Sequence, residues 1–218
     1  MRFDRLALIA ASLTAAAALQ GCGADNPAAT AKASPSPTAE SKAVGVFADS
    51  YFKAMSIDDG KLAAFTKDQT HCVAENVFGR LTKQELRSGL TNADGTYDKN
   101  LGDGTLLSPG RGISAKAARV YVQAHFECLG SGAAYFVATA RYMRAAFDEM
   151  DAMLDKSSAP TPQLSDSDWV AATNCIAKLA TDDQLLEHFV YGLTKGVAGA
   201  KLPDSISEPV SACEPKTS

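Results

Sequence analysis

Two cysteine-bearing segments of this chain superpose without a gap, and that repeat constrains the fold more than any other feature. The first runs Thr70-His71-Cys72-Val73-Ala74, continues to Leu86 and ends Gly89-Leu90-Thr91. The second runs Thr173-Asn174-Cys175-Ile176-Ala177, continues to Phe189 and ends Gly192-Leu193-Thr194. Each unit reads as a helix bearing the cysteine, a break, and a second short helix stopped by glycine. A further cysteine outside the motif follows each unit, Cys128 after Cys72 and Cys213 after Cys175.

Helix-start signals agree with this reading. Thr66-x-x-Gln69, Thr82-x-x-Glu85 and Thr181-x-x-Gln184 match the capping box, in which a hydroxyl and a side chain three residues on satisfy two free backbone N–H groups. Ser165-Asp166-Ser167-Asp168, and Ser114 before an alanine-rich run, are weaker starts of the same kind. Apolar residues fall at helical spacing between them. Val44, Phe47, Ala48, Tyr51, Phe52 and Met55 form one stripe; Phe136, Ala140, Met143, Phe147, Met150 and Leu154 form another on a helix predicted over 133–154. Strand-like alternation is essentially missing. The expected class is all-α.

The N-terminus sets the compartment. Arg2 and Arg5 precede an apolar stretch from Leu6 to Leu19, broken by Ser12 and Thr14. That is the pattern of an export signal, and it is short for a permanent membrane span. It ends Leu19-Gln20-Gly21-Cys22, which resembles the lipobox of bacterial lipoproteins, although Gln20 is not the favoured residue at its place. The resemblance implies cleavage before Cys22, a diacylglyceryl group on its sulfur, and further acylation (palmitate or a similar chain), which makes anchoring stable. Residues 1–21 are thus expected to be a signal peptide. Residues 22–42 follow as a lipidated cysteine and a disordered tether of Ala, Ser, Thr and Pro, with no large apolar residue to offset its ordering entropy. A helical domain fills 43–218, long enough for a core of its own.

An exported chain with four cysteines beyond the lipidated one should form disulfides, and four cysteines allow three connectivities. The repeat favours Cys72–Cys128 and Cys175–Cys213, one bridge per half. Each loop is worth roughly 4 kcal/mol in the chain-entropy model. The arrangement resembles a group of secreted and lipid-anchored actinobacterial proteins of unknown function. Their units have the form Leu-Thr/Ser-x-x-Gln/Glu-x-x-Cys-Val-Ala, with a second cysteine in a later helix. Thr66 to Ala74 fits that form, Gly112 to Cys128 resembles the partner helix, and Leu164 to Ala177 the second unit. The second unit departs in placing Cys175 ten residues after Ser165, where Cys72 stands six after Thr66. The resemblance implies fold and location and carries no activity.

Candidate chemistry is sparse. The formal charge is −4, and −5 once Arg2, Arg5 and Asp4 leave with the signal, with no basic run; nucleic acid is therefore not an expected partner. His71 beside Cys72 and His125 near Cys128 raise a zinc site, but the close ligand pairs typical of structural zinc are missing. His188 is expected on a helix surface or partly buried, with no nucleophile marked for it. The loop from Thr91 to Gly112 holds Asn92, Asp94, Asp98 and Asp103, yet aligning Gly95 at position 6 of a calcium loop puts leucines at positions 1 and 12. Gly130-Ser131-Gly132 reads as a turn. No catalytic, cofactor or metal residue is assigned, and the protein is not expected to be an enzyme. The expectation is a module on the extracytoplasmic side of the cell membrane, held there by lipid on Cys22, binding an unknown partner or serving as an accessory. The alternative is a carrier of an apolar small molecule or lipid between its helices, motivated by the Phe136 stripe with Phe47, Tyr51, Phe52 and Tyr121.

Overall fold

The chain folds mainly into helices, seen in a computed structural model that describes residues 39–57, 62–98, 113–153, 165–195 and 204–214, with the backbone alone for Phe147, 149–153 and 204–205. The signal segment, Cys22 and most of the tether lie outside the described residues.

Helix α1 (Ala39–Ala54) begins within the segment read as tether, and its first turn is exposed. Its buried face holds Val44, Phe47, Ala48 and Tyr51 of the expected stripe, continued by Met55 just past its end, whereas Phe52 is only half-buried. A two-residue antiparallel pair follows, β1 (Ser56–Ile57) with β2 (Leu62–Ala63), in the register Ser56 opposite Ala63. Strands this short carry no period-2 pattern and leave the helical class unchanged.

Helices α2 (Lys67–Arg80) and α3 (Lys83–Arg87) start at Thr66 and Thr82, each with both bonds of its capping box. Helix α4 (Ala115–Leu129) starts at Ser114, whose hydroxyl accepts from the Ala117 N–H, and stops at Gly130 in the left-handed region at φ 89°. One residue later α5 (Gly132–Met153) sets off, so Gly130-Ser131-Gly132 is the expected turn between helices. Helices α6 (Asp166–Leu179) and α7 (Asp182–Lys195) start at Ser165 and Thr181, and Thr181 exchanges both capping bonds with Gln184. The short α8 (Asp204–Ala212) ends beside Cys213 and contains Pro209.

Helix α1 packs on α2, α2 on α4, and α4 on both α5 and α7; α5 packs on α6 and α7, and α8 lies against α6 and α7. Two apolar clusters result. The larger joins α1, α2, α4 and one face of α5; the smaller gathers Phe136 and Ala140 of α5, Trp169, Ala172 and Ile176 of α6, Leu185 of α7, and Ile206, Val210 and Cys213. Phe126 and Phe189 touch both and join them.

Each half therefore runs long helix, capped helix, second helix, cysteine helix, and each disulfide joins the second of these to the fourth. The structure corrects the register of the repeat. Setting Thr66 on Ser165 also sets Thr82 on Thr181, and the buried positions then coincide one by one: Thr70, Val73, Ala74 and Val77 with Trp169, Ala172, Thr173 and Ile176. In that register Cys175 stands opposite Asn76, about one turn beyond Cys72. The gapless cysteine alignment is a turn out because residues four apart share a helix face, so a bridge can move by one turn without leaving its side. For the same reason Gly192 is no helix stop: it lies inside α7.

Candidate functional site

The bridges have the pairing the repeat favours. Cys72–Cys128 joins α2 to α4 with Cα atoms 5.9 Å apart, and Cys175–Cys213 joins α6 to the end of α8 at 5.7 Å. Both separations fall within the ordinary range for a disulfide. The Asn76 amide crowns the first bridge, its Nδ2 donating to the Cys72 carbonyl at 3.1 Å and lying 3.4 Å from Cys128 Sγ. With their sulfurs joined to one another, the four cysteines offer no thiolate to a metal or a substrate.

The histidines are dispersed. His71 is exposed on α2 and lies 3.5 Å from Glu75. His188 is buried in α7 with its ring 5.3 Å from that of Phe189. His125 is fully enclosed, and both ring nitrogens have partners. Its Nδ1 lies 2.7 Å from the Tyr121 carbonyl, which can only accept, so Nδ1 carries the proton. Nε2 then accepts from the Tyr51 hydroxyl at 2.6 Å. Burial drives the imidazole pKa down to about 3, against the opposing effect of the Tyr121 carbonyl. Burial likewise pushes the Tyr51 and Tyr121 hydroxyls well above their usual range.

Around this pair stands a cage of rings. Phe65, Tyr97, Tyr121 and Tyr135 all lie within about 6 Å of Tyr51 or His125, in tilted or edge-on arrangements typical of aromatic packing. Tyr97 and Tyr121 bring their hydroxyls 3.2 Å apart, and the Tyr142 hydroxyl donates to the Ala54 carbonyl. Chemically this is a hydrogen-bonded polar group enclosed by aromatic rings. A neutral imidazole with both nitrogens engaged and no exposed surface cannot reach a substrate to act as a general base. The sequence offered one clue, the i,i+4 spacing of Tyr121 and His125, but nothing in it marked their burial.

The acidic loop has a local task. Asp94 Oδ1 accepts from both the amide and the hydroxyl of Thr96, bonds that lower its pKa, and the turn closes through Gly95 at φ 87°. Asp103 and the remainder of that loop lie outside the described residues. Charged side chains otherwise tie helices together at the surface: Arg80 pairs with Glu127, Arg119 with Glu187, Lys116 with Glu85, and Arg144 with Asp166. Lys116 and the Thr82 cap together hold the Glu85 carboxyl down to about 2. Among the described residues no group of three or more potential ligands gathers as a metal would need, and no helix is long and apolar enough to cross a membrane.

Compared with protein-family models, with curated proteins and with solved structures, the chain matches none.

Proposed function

We propose that this protein is a lipoprotein of the bacterial cell envelope, anchored through Cys22 on the extracytoplasmic side, whose helical domain binds a partner or serves as an accessory without catalysis. The observation that carries the proposal is the sequence Leu19-Gln20-Gly21-Cys22 closing an export signal, followed by a proline-bearing tether. The four remaining cysteines form two disulfides, which fits an oxidising compartment and disfavours the cytosol. The non-catalytic part draws support from where the titratable groups sit: His125 is locked in the core, His71 faces a glutamate on its own helix, and all four cysteines among the described residues are in disulfides.

The carrier alternative loses ground on the stripe that suggested it. Phe136, Ala140 and Met143, its described members, are buried in the packing of α5 against its neighbours. A stoichiometric lipid extracted from purified protein would restore it.

Detergent phase partitioning of the protein expressed in a bacterium tests the anchor. Wild type should enter the detergent phase, and Cys22→Ser should stay aqueous or keep its uncleaved signal. Wild-type protein found wholly in the aqueous phase contradicts the anchor. Turnover of a substrate by the purified protein, abolished by one side-chain substitution, contradicts the non-catalytic part.

A further inference from the structure

The two disulfides close similar loops but hold very different things. Cys72–Cys128 joins α2 and α4, two long helices that also pack directly on each other and on further helices. Cys175–Cys213 fastens α8, nine residues long and interrupted by Pro209. A helix this short is marginal in water, and proline removes one of its few internal hydrogen bonds. Among the described residues, two features stand out in holding α8 in place. One is burial of Ile206 and Val210, 0% and 3% exposed, in the smaller apolar cluster; the other is the bridge itself. Helices α6 and α7 do not depend on α8 in the same way, since α6 packs on α5, and α7 packs on α4 and α5.

We infer that Cys175–Cys213 is a redox-sensitive latch on the C-terminal helix: its reduction lets α8 leave the smaller apolar cluster while the remaining helices keep their places. Cys175 is the more accessible end of the bridge, a half-buried residue where Cys213 is buried. A thiolate of an exported dithiol attacks Cys175 Sγ and expels Cys213 as thiolate. The second thiol of that dithiol, once deprotonated, then attacks its own sulfur in the mixed disulfide, releasing Cys175 and closing a new disulfide. Two electrons pass from the dithiol, which is oxidised, to the bridge, which is reduced, and both released thiolates take up protons. Departure of α8 uncovers Ile176 and Leu185, each fully buried in the latched state, and changes the surroundings of Trp169 in the same cluster. The latch rests on the described geometry alone and stands whether or not Cys22 carries lipid.

Trp169 is the only tryptophan of the chain, so the protein carries its own reporter. Hydrogen exchange by mass spectrometry and Trp169 emission are followed on the full chain in three forms: wild type, Cys72→Ser/Cys128→Ser, and Cys175→Ser/Cys213→Ser. Loss of the second bridge should lower protection of the α8 amides by at least about tenfold and shift Trp169 emission to the red, with α1, α2 and α4 still protected. Adding a soluble dithiol to Cys72→Ser/Cys128→Ser should reproduce both changes, and reoxidation should reverse them. Protection of α8 that survives loss of its bridge overturns the latch. So does loss of protection spread evenly through α1, α2 and α4, which would make the bridge a support of the whole fold.

Discussion

At the scale of single residues the most consequential choice is a histidine at position 125, enclosed among tyrosines. An imidazole in that place stays neutral, because burial penalises its charged form. Its two hydrogen bonds fix the tautomer and orient the Tyr51 ring, tying α1 to α4 by a polar contact inside an apolar cluster. Such a group links stability to pH. The unfolded chain takes up the proton near pH 6.5, whereas the folded chain resists it down to about 3. The His125 contribution is therefore whole above the unfolded value and is lost as pH falls from there toward 3, at up to about 1.4 kcal/mol per pH unit. Glu85 and Asp94, whose pKa values are lowered, add their own losses only at and below the ordinary carboxylate range. An NMR titration of the His125 ring should give a midpoint near 3 in the folded protein. A midpoint close to that of a free histidine would contradict the buried tautomer.

Among elements, the contact between the start of α5 and the start of α7 shows how closely the halves are fitted. The Gly132 amide donates to Asp182 Oδ1 at 2.8 Å, so a carboxylate from α7 caps the first turn of α5. A Cβ at this glycine would lie 2.7 Å from that oxygen and 2.8 Å from Phe126 Cε2, and Phe126 is packed against both apolar clusters. Alanine gains at most about 1 kcal/mol in helix propensity, whereas overpacking of this kind costs about 1–3 kcal/mol. Gly132→Ala should therefore lower the urea midpoint of the oxidised protein by an amount equivalent to up to about 2 kcal/mol; a higher midpoint would contradict the packing described. This contact was invisible in the sequence, where Gly132 reads as part of a turn and no local spacing links it to Asp182. The capping threonines and the α1 stripe were legible because their signals are local, set by spacings of three and four residues. The repeat was legible in kind but not in register. Identity of the cysteines outweighed the caps in the alignment, while in the fold the caps and buried faces decide and the bridge adapts.

For the whole molecule, the halves are alike in plan and unequal in strength. The first half closes on α4, a long alanine-rich helix packed on three neighbouring helices; the second closes on α8, short and interrupted by proline. Each bridge is worth roughly 4 kcal/mol in the chain-entropy model, comparable to the net stability of many domains. The fold thus suits a compartment that keeps cysteines oxidised, which agrees with the export proposed from the N-terminal residues. Surface ion pairs such as Arg119 with Glu187 add little beside this, since exposed pairs are worth about 0–1 kcal/mol. Intact mass measured on protein from its native membrane, before and after reduction, tests the proposed lipid anchor and the two bridges together. The chain should begin at Cys22 with the added mass of acyl chains and gain four hydrogens on reduction of its two disulfides. A chain without acyl mass would contradict the anchor, and a mass unchanged by reduction would contradict the bridges.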